Sequence, residues 1–386
     1  MRTRYFDNAA TSWPKPPGVP RAVRRCLERG GGNAGRSGHA KALEASRTVL
    51  RARELLAELF RIADPSRILF TKNATEALNL ALYGLLRPGD RVVTSSMEHN
   101  SVMRPLRHLA RKGVALEVVP ASAGGVIEAA SFCAAVTAGT RLAVVTHASN
   151  VTGAVTDVAA IGAHCRRLGV PLLVDAAQTA GSLPIDVEAL GVDYLAFSGH
   201  KGLLGPQGTG GLYVRAEDAL EPLQRGGTGS RSDREEQPEF LPDRYESGTL
   251  NNPGIAGLGA GVQYLLHRGV TDVQAHEQGL LAMFLEGMAG TPGVSTYGPA
   301  GATGRTGVLS LNLSGLSCSE AGTQLEDRFG LLTRVGLHCA PLAHRSLGTF
   351  PEGTVRFSWG AFTRPGDVRA AARAVRLLAA AGGRRR

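Results

Sequence analysis

Between residues 17 and 211 short apolar runs alternate with segments of helical periodicity, and no other feature of the chain restricts its fold so tightly. The runs at 67–71, 90–94, 115–119, 142–146, 170–174 and 194–197 are bounded by turn residues and suit strands buried inside a sheet. Segment 41–60 puts Leu43, Val49, Leu50, Leu55, Leu56 and Leu59 near helical spacing, and 156–168 reads as a crossover helix. Such alternation predicts an α/β unit with a mainly parallel sheet wrapped by helices. A polar, Pro- and Gly-containing stretch at 222–253 is too irregular for a core element and is expected as surface or interface loop. Beyond it, helical patterns near 254–268 and 274–288 precede strands near 307–313, 331–335 and 353–358, then a last helix from Pro365, which suggests a smaller α+β unit. The expected division is a large domain at 17–250 and a small one built from 1–16 and 251–386.

With 386 residues, 43% of them hydrophobic, the chain can bury a large core. No apolar run reaches the roughly 18–20 residues that cross a bilayer, and Met1-Arg-Thr-Arg-Tyr-Phe-Asp7 lacks a secretory apolar stretch, so no membrane role and a cytoplasmic location are expected. Cys26, Cys133, Cys165, Cys318 and Cys339 are far apart without a C-x-x-C pair, which argues for free thiols and against disulfides or a metal centre. The net charge of +10 rests on dispersed arginines, with only five lysines and 5% aromatics, so a nucleic-acid partner is not expected. Neither a G-x-G-x-x-G opening a helix after the first strand nor a G-x-x-x-x-G-K-[ST] is present, which disfavours a dehydrogenase or nucleotide-binding protein.

The chemistry concentrates at 174–214. One apolar strand ends in Asp175-Ala-Ala-Gln178, the next in Ser198-Gly-His-Lys201, and strand ends are where α/β sheets carry their sites. An aspartate directly after Leu172-Leu-Val174 is costly to bury unless it meets a cation. Lys201, between Gly199 and Gly202 in an apolar neighbourhood, is placed for a depressed pKa. An acid and an amine at successive strand ends match what pyridoxal phosphate needs: a counter-ion for its ring nitrogen and an amine for its aldehyde.

Six ordered motifs add to this pair: Tyr5-Phe-Asp-Asn-Ala-Ala-Thr11, Phe70-Thr-Lys-Asn-Ala-Thr-Glu-Ala-Leu-Asn79, the Asp175/Lys201 stretch, Glu246-Ser-Gly-Thr-Leu-Asn251, Arg334-Val-Gly-Leu-His-Cys-Ala340 and Val355-Arg-Phe-Ser358. Together they resemble the class V aminotransferases among the fold-type I pyridoxal phosphate enzymes, in the branch of the cysteine desulfurases and selenocysteine lyases. The resemblance implies a large seven-stranded, mainly parallel sheet domain, a smaller α+β domain carrying the cysteine, and a homodimer. It assigns phosphate binding to Ala74, Thr75, Ser198, His200 and, from the neighbouring subunit, Thr228. It places Asn150 and Gln178 on the phenolic oxygen of the ring, and His99 over the ring as a proton shuttle. Arg356 takes the substrate carboxylate, and Arg36 and His39 line the entrance. Taken singly, Thr75 is also a helix cap, His99 a bland histidine, and Gly226-Gly-Thr-Gly229 a flexible loop.

Cys339 resembles the cysteine that forms a persulfide in desulfurases, with Arg334 and His338 as neighbours able to favour its thiolate. The implied reaction takes L-cysteine, with L-selenocysteine as the variant substrate, to alanine and passes the sulfur to an acceptor protein or thiol. Two departures stand out: Gly35 occupies a position usually held by histidine, and Phe362-Thr363 replaces Asn-Thr. Alternatives within the class are a selenocysteine lyase, a C–S lyase, or an aminotransferase or epimerase; outside it stands a binding protein that keeps the fold without the chemistry.

Overall fold

The computed structural model describes residues 2–35, 37–215 and 220–382. In chain order the first part runs β1 (Arg4–Tyr5), α1 (Gly18–Arg29), α2 (Ala40–Phe60), β2 (Ile68–Thr71), α3 (Ala74–Leu85), β3 (Arg91–Ser95), α4 (Asn100–Ala110), β4 (Ala115–Val119), α5 (Ala129–Ala135), β5 (Leu142–Thr146), α6 (Val158–Leu168), β6 (Leu172–Asp175), β7 (Tyr194–Ser198) and β8 (Gly210–Val214). The second part runs α7 (Asn252–Arg268), α8 (Val270–Met288), β9 (Val294–Tyr297), β10 (Val308–Leu313), α9 (Cys318–Phe329), β11 (Leu331–Leu332), β12 (Arg334–Gly336), α10 (Pro341–Ser346), β13 (Thr354–Ser358) and α11 (Pro365–Gly382).

The alternation of strand and helix closes into a seven-stranded sheet of order β2-β8-β7-β6-β5-β3-β4, parallel except around β8, which is antiparallel to both neighbours. Its strands are apolar on both faces because helices cover both: Leu56, Phe60, Val145 and Phe197 lie in one core, Leu78, Leu106, Val144 and Leu212 in the other. The expected alternation is borne out, and the glycine-rich run after Lys201 becomes β8 itself. Glycine at 210 has a specific reason there, since a Cβ would stand 2.6 Å from Asn73 Cα and 2.7 Å from Phe197 O. Its absence brings the start of α3 against the end of β7.

A second, antiparallel sheet of order β12-β13-β10-β9 packs with α8, α9 and α11 around Phe284, Phe357 and Trp359. The expected strand at 331–335 is two strands: β11 pairs in parallel with β1, while β12 joins β13. β9 escaped the sequence reading because it is half exposed and short. The irregularity expected across 222–253 holds to residue 251, and buried Glu246 ties that stretch to the large sheet through Arg53 at 2.6 Å and the Phe70 N–H at 2.5 Å. Helix α7 differs from the expectation that grouped it with the C-terminal unit: Ile255, Leu258, Val262 and Leu265 lie in the core of the large sheet, against α1 and α2. Leu43 and Leu50, expected on the buried stripe of α2, are exposed, because α2 packs through Ala42, Ala45, Val49, Ala52 and Leu56 instead. No helix among the described residues is long and apolar enough to cross a membrane.

Candidate active site

The carboxyl ends of β5, β6 and β7 and the start of α3 surround a cavity of about 220 Å³. Ala74, Thr75, His99, Asn150, Asp175, Gln178, Ser198, His200 and Lys201 all line it, joined by Ser101, which the sequence reading passed over. Asp175 is the last residue of β6, buried, and accepts the Ala177 N–H at 2.9 Å. Burial pushes its carboxyl above the usual range, while that N–H and the Lys201 charge pull it back. Burial likewise brings the Lys201 amine down to about 8, opposed by Asp175 and assisted by Arg356 and Arg334. Among the described residues no hydrogen bond ties that amine. Its loop is held by close backbone approach, for a Cβ on Gly202 would meet Ala180 O at 2.5 Å and one on Gly181, at φ +86°, would meet Gly202 O at 2.4 Å.

At the opposite end of the cavity, Asn73 caps α3 through the Glu76 N–H, and the Ala74 N–H donates to Ser198 Oγ at 3.3 Å. The positive end of a helix, two hydroxyls and the buried, unpartnered His200 Nδ1 converge here, a donor set that suits a phosphate. His200 stays neutral, with burial and then the charges of Lys201 and Lys15 bringing it down to about 4. An anion end, a free amine and a buried carboxylate within one cavity fit pyridoxal phosphate in charge and order.

His99 caps α4, its Nδ1 accepting the Ser101 N–H at 3.1 Å. Burial, then Lys201, Arg334, Arg356 and Arg104, lower it to about 4, so the ring is neutral at physiological pH. Asn150 departs from its expected use: its Nδ2 donates to His338 O at 2.7 Å, and its backbone oxygen accepts from Arg356 Nη1 at 3.0 Å. Gln178 donates Nε2 to Ala9 O at 3.1 Å.

Cys339 is the one exposed cysteine of the five. It sits at the rim of a cleft that shares Thr75, His99 and Ser101 with the cavity. Its turn, between β12 and α10, is pinned by Asn150 and by the Asn100 N–H, which reaches Cys339 O at 2.8 Å. His338 and Cys339 both take left-handed backbone, at φ 49° and 59°, a strained pair held by those contacts. The Arg334 guanidinium donates to Cys339 Sγ at 3.5 Å, as expected. His338 does not help the thiol: it is buried, bonds Thr354 Oγ1 at 3.0 Å beside the His344 ring, and burial drives it down to about 2, so it carries no charge. Arg356, fully buried, pairs with Asp7 Oδ1 at 2.7 Å.

The remaining expected residues lie apart. Thr228 bonds within its own loop, to Ser230 Oγ at 3.2 Å, and His39 caps α2 through the Ala42 N–H at 3.3 Å. Arg36 is outside the described residues. Asp7 was passed over because it sits 349 positions from Arg356, although it lies inside a quoted motif.

A mainly parallel seven-stranded sheet with lysine and aspartate at adjacent strand ends defines a fold-type I pyridoxal phosphate enzyme. The family described as aminotransferase class V matches residues 4–370, and the chain belongs to it. A probable cysteine desulfurase of Methanothermobacter thermautotrophicus is 37% identical, the alignment covering 93% of this chain and 90% of that one. The apo structure of a cysteine desulfurase from Thermococcus onnurineus NA1 superposes with a TM-score of 0.92 at 33% identity, over 98% of this chain and 95% of that one. The cysteine desulfurase CsdA of Escherichia coli superposes at 0.85 with 28% identity, covering 96% and 93%.

Proposed function

We propose that the chain is a cysteine desulfurase that converts L-cysteine to L-alanine and leaves the sulfur as a persulfide on Cys339. The observation that carries this reading is an exposed thiol, paired with Arg334, on a pinned turn at the rim of the cleft that adjoins Lys201. Pyridoxal phosphate would be held by Ala74, Thr75, Ser198 and His200 at its phosphate, by Asp175 at its ring nitrogen and by Lys201 at its aldehyde. Gln178 and Asn150 would face its phenolic oxygen. Bound there, the cofactor supplies an electron sink that acidifies the substrate α-proton and weakens the C–S bond.

Arg356 holds the substrate carboxylate, a task suited to a planar fork. The Lys201 amine, near neutral pH in its proton affinity, takes the α-proton, and His99 holds or returns a proton over the ring. The Cys339 thiolate attacks the substrate sulfur: the S–S bond forms, the C–S bond breaks, and its electron pair stays with the carbon skeleton, which takes up protons and leaves as alanine. The persulfide then passes to a thiol or an acceptor protein.

The working unit is a homodimer in the cytoplasm, with Thr228 of one copy completing the phosphate site of the other. The exposed Leu27, Leu43 and Leu50 offer apolar surface for such a contact. Residues 17–250 and the combined 1–16 and 251–386 remain the proposed domains, with α7 bridging them.

The test is incubation of the cofactor-loaded protein with L-cysteine and a reductant, with L-selenocysteine in parallel. Sulfide and alanine are expected in equal amounts. Cys339→Ala should lose sulfide release while keeping bound cofactor; desulfuration at the wild-type rate in that variant overturns the reading, and elimination or transamination instead identifies another class V activity.

A further inference from the structure

We infer that Ser101 is a positioning residue that locks His99 in one tautomer and joins it to the anion anchor Thr75. Ser101 lies in the first turn of α4 and is buried. Its Oγ stands 2.8 Å from His99 Nδ1 and 2.7 Å from Thr75 Oγ1.

A third bond gives these contacts a direction. The Ser101 backbone N–H reaches the same Nδ1 at 3.1 Å, and a backbone N–H only donates. Nδ1 is therefore an acceptor, and the proton of the neutral ring is on Nε2. The Ser101 hydroxyl must then donate to Nδ1, and Thr75 must donate to Ser101. The relay runs one way, from Thr75 through Ser101 to His99, and leaves Nε2–H as the ring's group for the cavity.

An anion at Thr75 draws that hydroxyl proton toward itself. Ser101 is then free to turn its own proton to Thr75 Oγ1, and Nδ1 keeps one donor fewer. A lone pair that loses a donor binds a proton more readily, so anion binding and the basicity of His99 are coupled, each strengthening the other. The charged groups facing His99 are Lys201 from the loop after β7, Arg334 and Arg356 from the small sheet, and Arg104 from α4 itself. All are cationic and favour the neutral ring, so the hydroxyl acts on a ring already near neutrality.

The inference rests on reading Thr75 and His99 as cofactor residues, but its test does not need the cofactor. The full-length chain without pyridoxal phosphate is labelled with ¹⁵N-histidine, His99 is assigned by its loss in His99→Gln, and inorganic phosphate serves as the anion. Wild type should show an unprotonated Nδ1 and a protonated Nε2. Ser101→Ala should give a mixture of tautomers and a protonation midpoint about one pH unit higher, and Ser101→Thr should restore the wild-type spectrum. Phosphate should raise the wild-type midpoint more than that of Ser101→Ala. An unchanged tautomer in Ser101→Ala, or equal responses to phosphate, overturns the inference, whether or not the protein desulfurates cysteine.

Discussion

Arg356, whose side chain is 1% exposed, holds Asp7 at 2.7 Å across 349 positions of sequence. The pair joins the N-terminal segment to the centre of the small sheet, where Ser310 and Arg334 flank Arg356 on neighbouring strands. A buried guanidinium without a counter-charge is unfavourable, so Asp7 keeps it ionised until a substrate carboxylate arrives. That carboxylate has to share the fork with Asp7 or displace it.

Asp7→Asn keeps the shape and removes the competing charge. The KM for L-cysteine should fall severalfold, and the melting temperature should drop by a few degrees, since about 1 kcal/mol moves Tm by about 2–4 °C in domains of this size. Steady-state kinetics and thermal unfolding check both. An unchanged KM would mean that Arg356 does not meet the substrate carboxylate.

Arg334 is the cation in contact with Cys339 Sγ, whereas His338 is neutral beneath it. Arg334→Ala should slow iodoacetamide capture of Cys339 at neutral pH by about tenfold, the equivalent of about 1.4 kcal/mol of thiolate stabilisation. His338→Gln should leave that rate alone. Peptide mass mapping separates Cys339 from the other thiols, and the reverse ranking of the two variants would disprove the assignment.

The Lys201 amine loses its proton near pH 8 because burial disfavours the ammonium more than Asp175 favours it. In the cofactor-free chain, its reaction with an amine-directed acylating reagent should rise with pH to a midpoint near 8. Asp175→Asn removes the opposing carboxylate and should move that midpoint lower. The sign for stability is also set: the folded state holds fewer protons than the unfolded one between about pH 8 and 10.5, so this group alone makes stability rise with pH there.

Glu98 and Glu277 behave in the opposite sense. Both are buried, and burial raises each carboxyl to about 8; Glu98 Oε1 bonds Ser95 Oγ at 2.6 Å, and its Oε2 has no partner among the described residues. The folded state therefore holds more protons than the unfolded one between about pH 4.5 and 8, and stability falls as pH climbs through that window. Glu98→Gln and Glu277→Gln should each flatten the decline in Tm across it. A slope identical to wild type would show that these acids are ionised in the fold.

Much of the site was legible because local chemistry forces it. Asp175 and Lys201 close apolar strands, and the turn at 73–75 opens a helix; each can be read from neighbours a few residues away. Ser101, Asp7 and the second task of Asn150 were not legible. Their meaning comes from partners 26, 349 and 188 positions distant.

The order of strands and helices, the buried faces of the large sheet and the residues at its strand ends were determined by the sequence alone, because period and turn chemistry are properties of consecutive residues. Only the tertiary structure decided that α7 packs with the large sheet, that His338 is neutral, that Cys339 is the exposed thiol and that Asp7 meets Arg356. Burial and charge pairing depend on which distant segments pack together, and a linear pattern carries no distance between them.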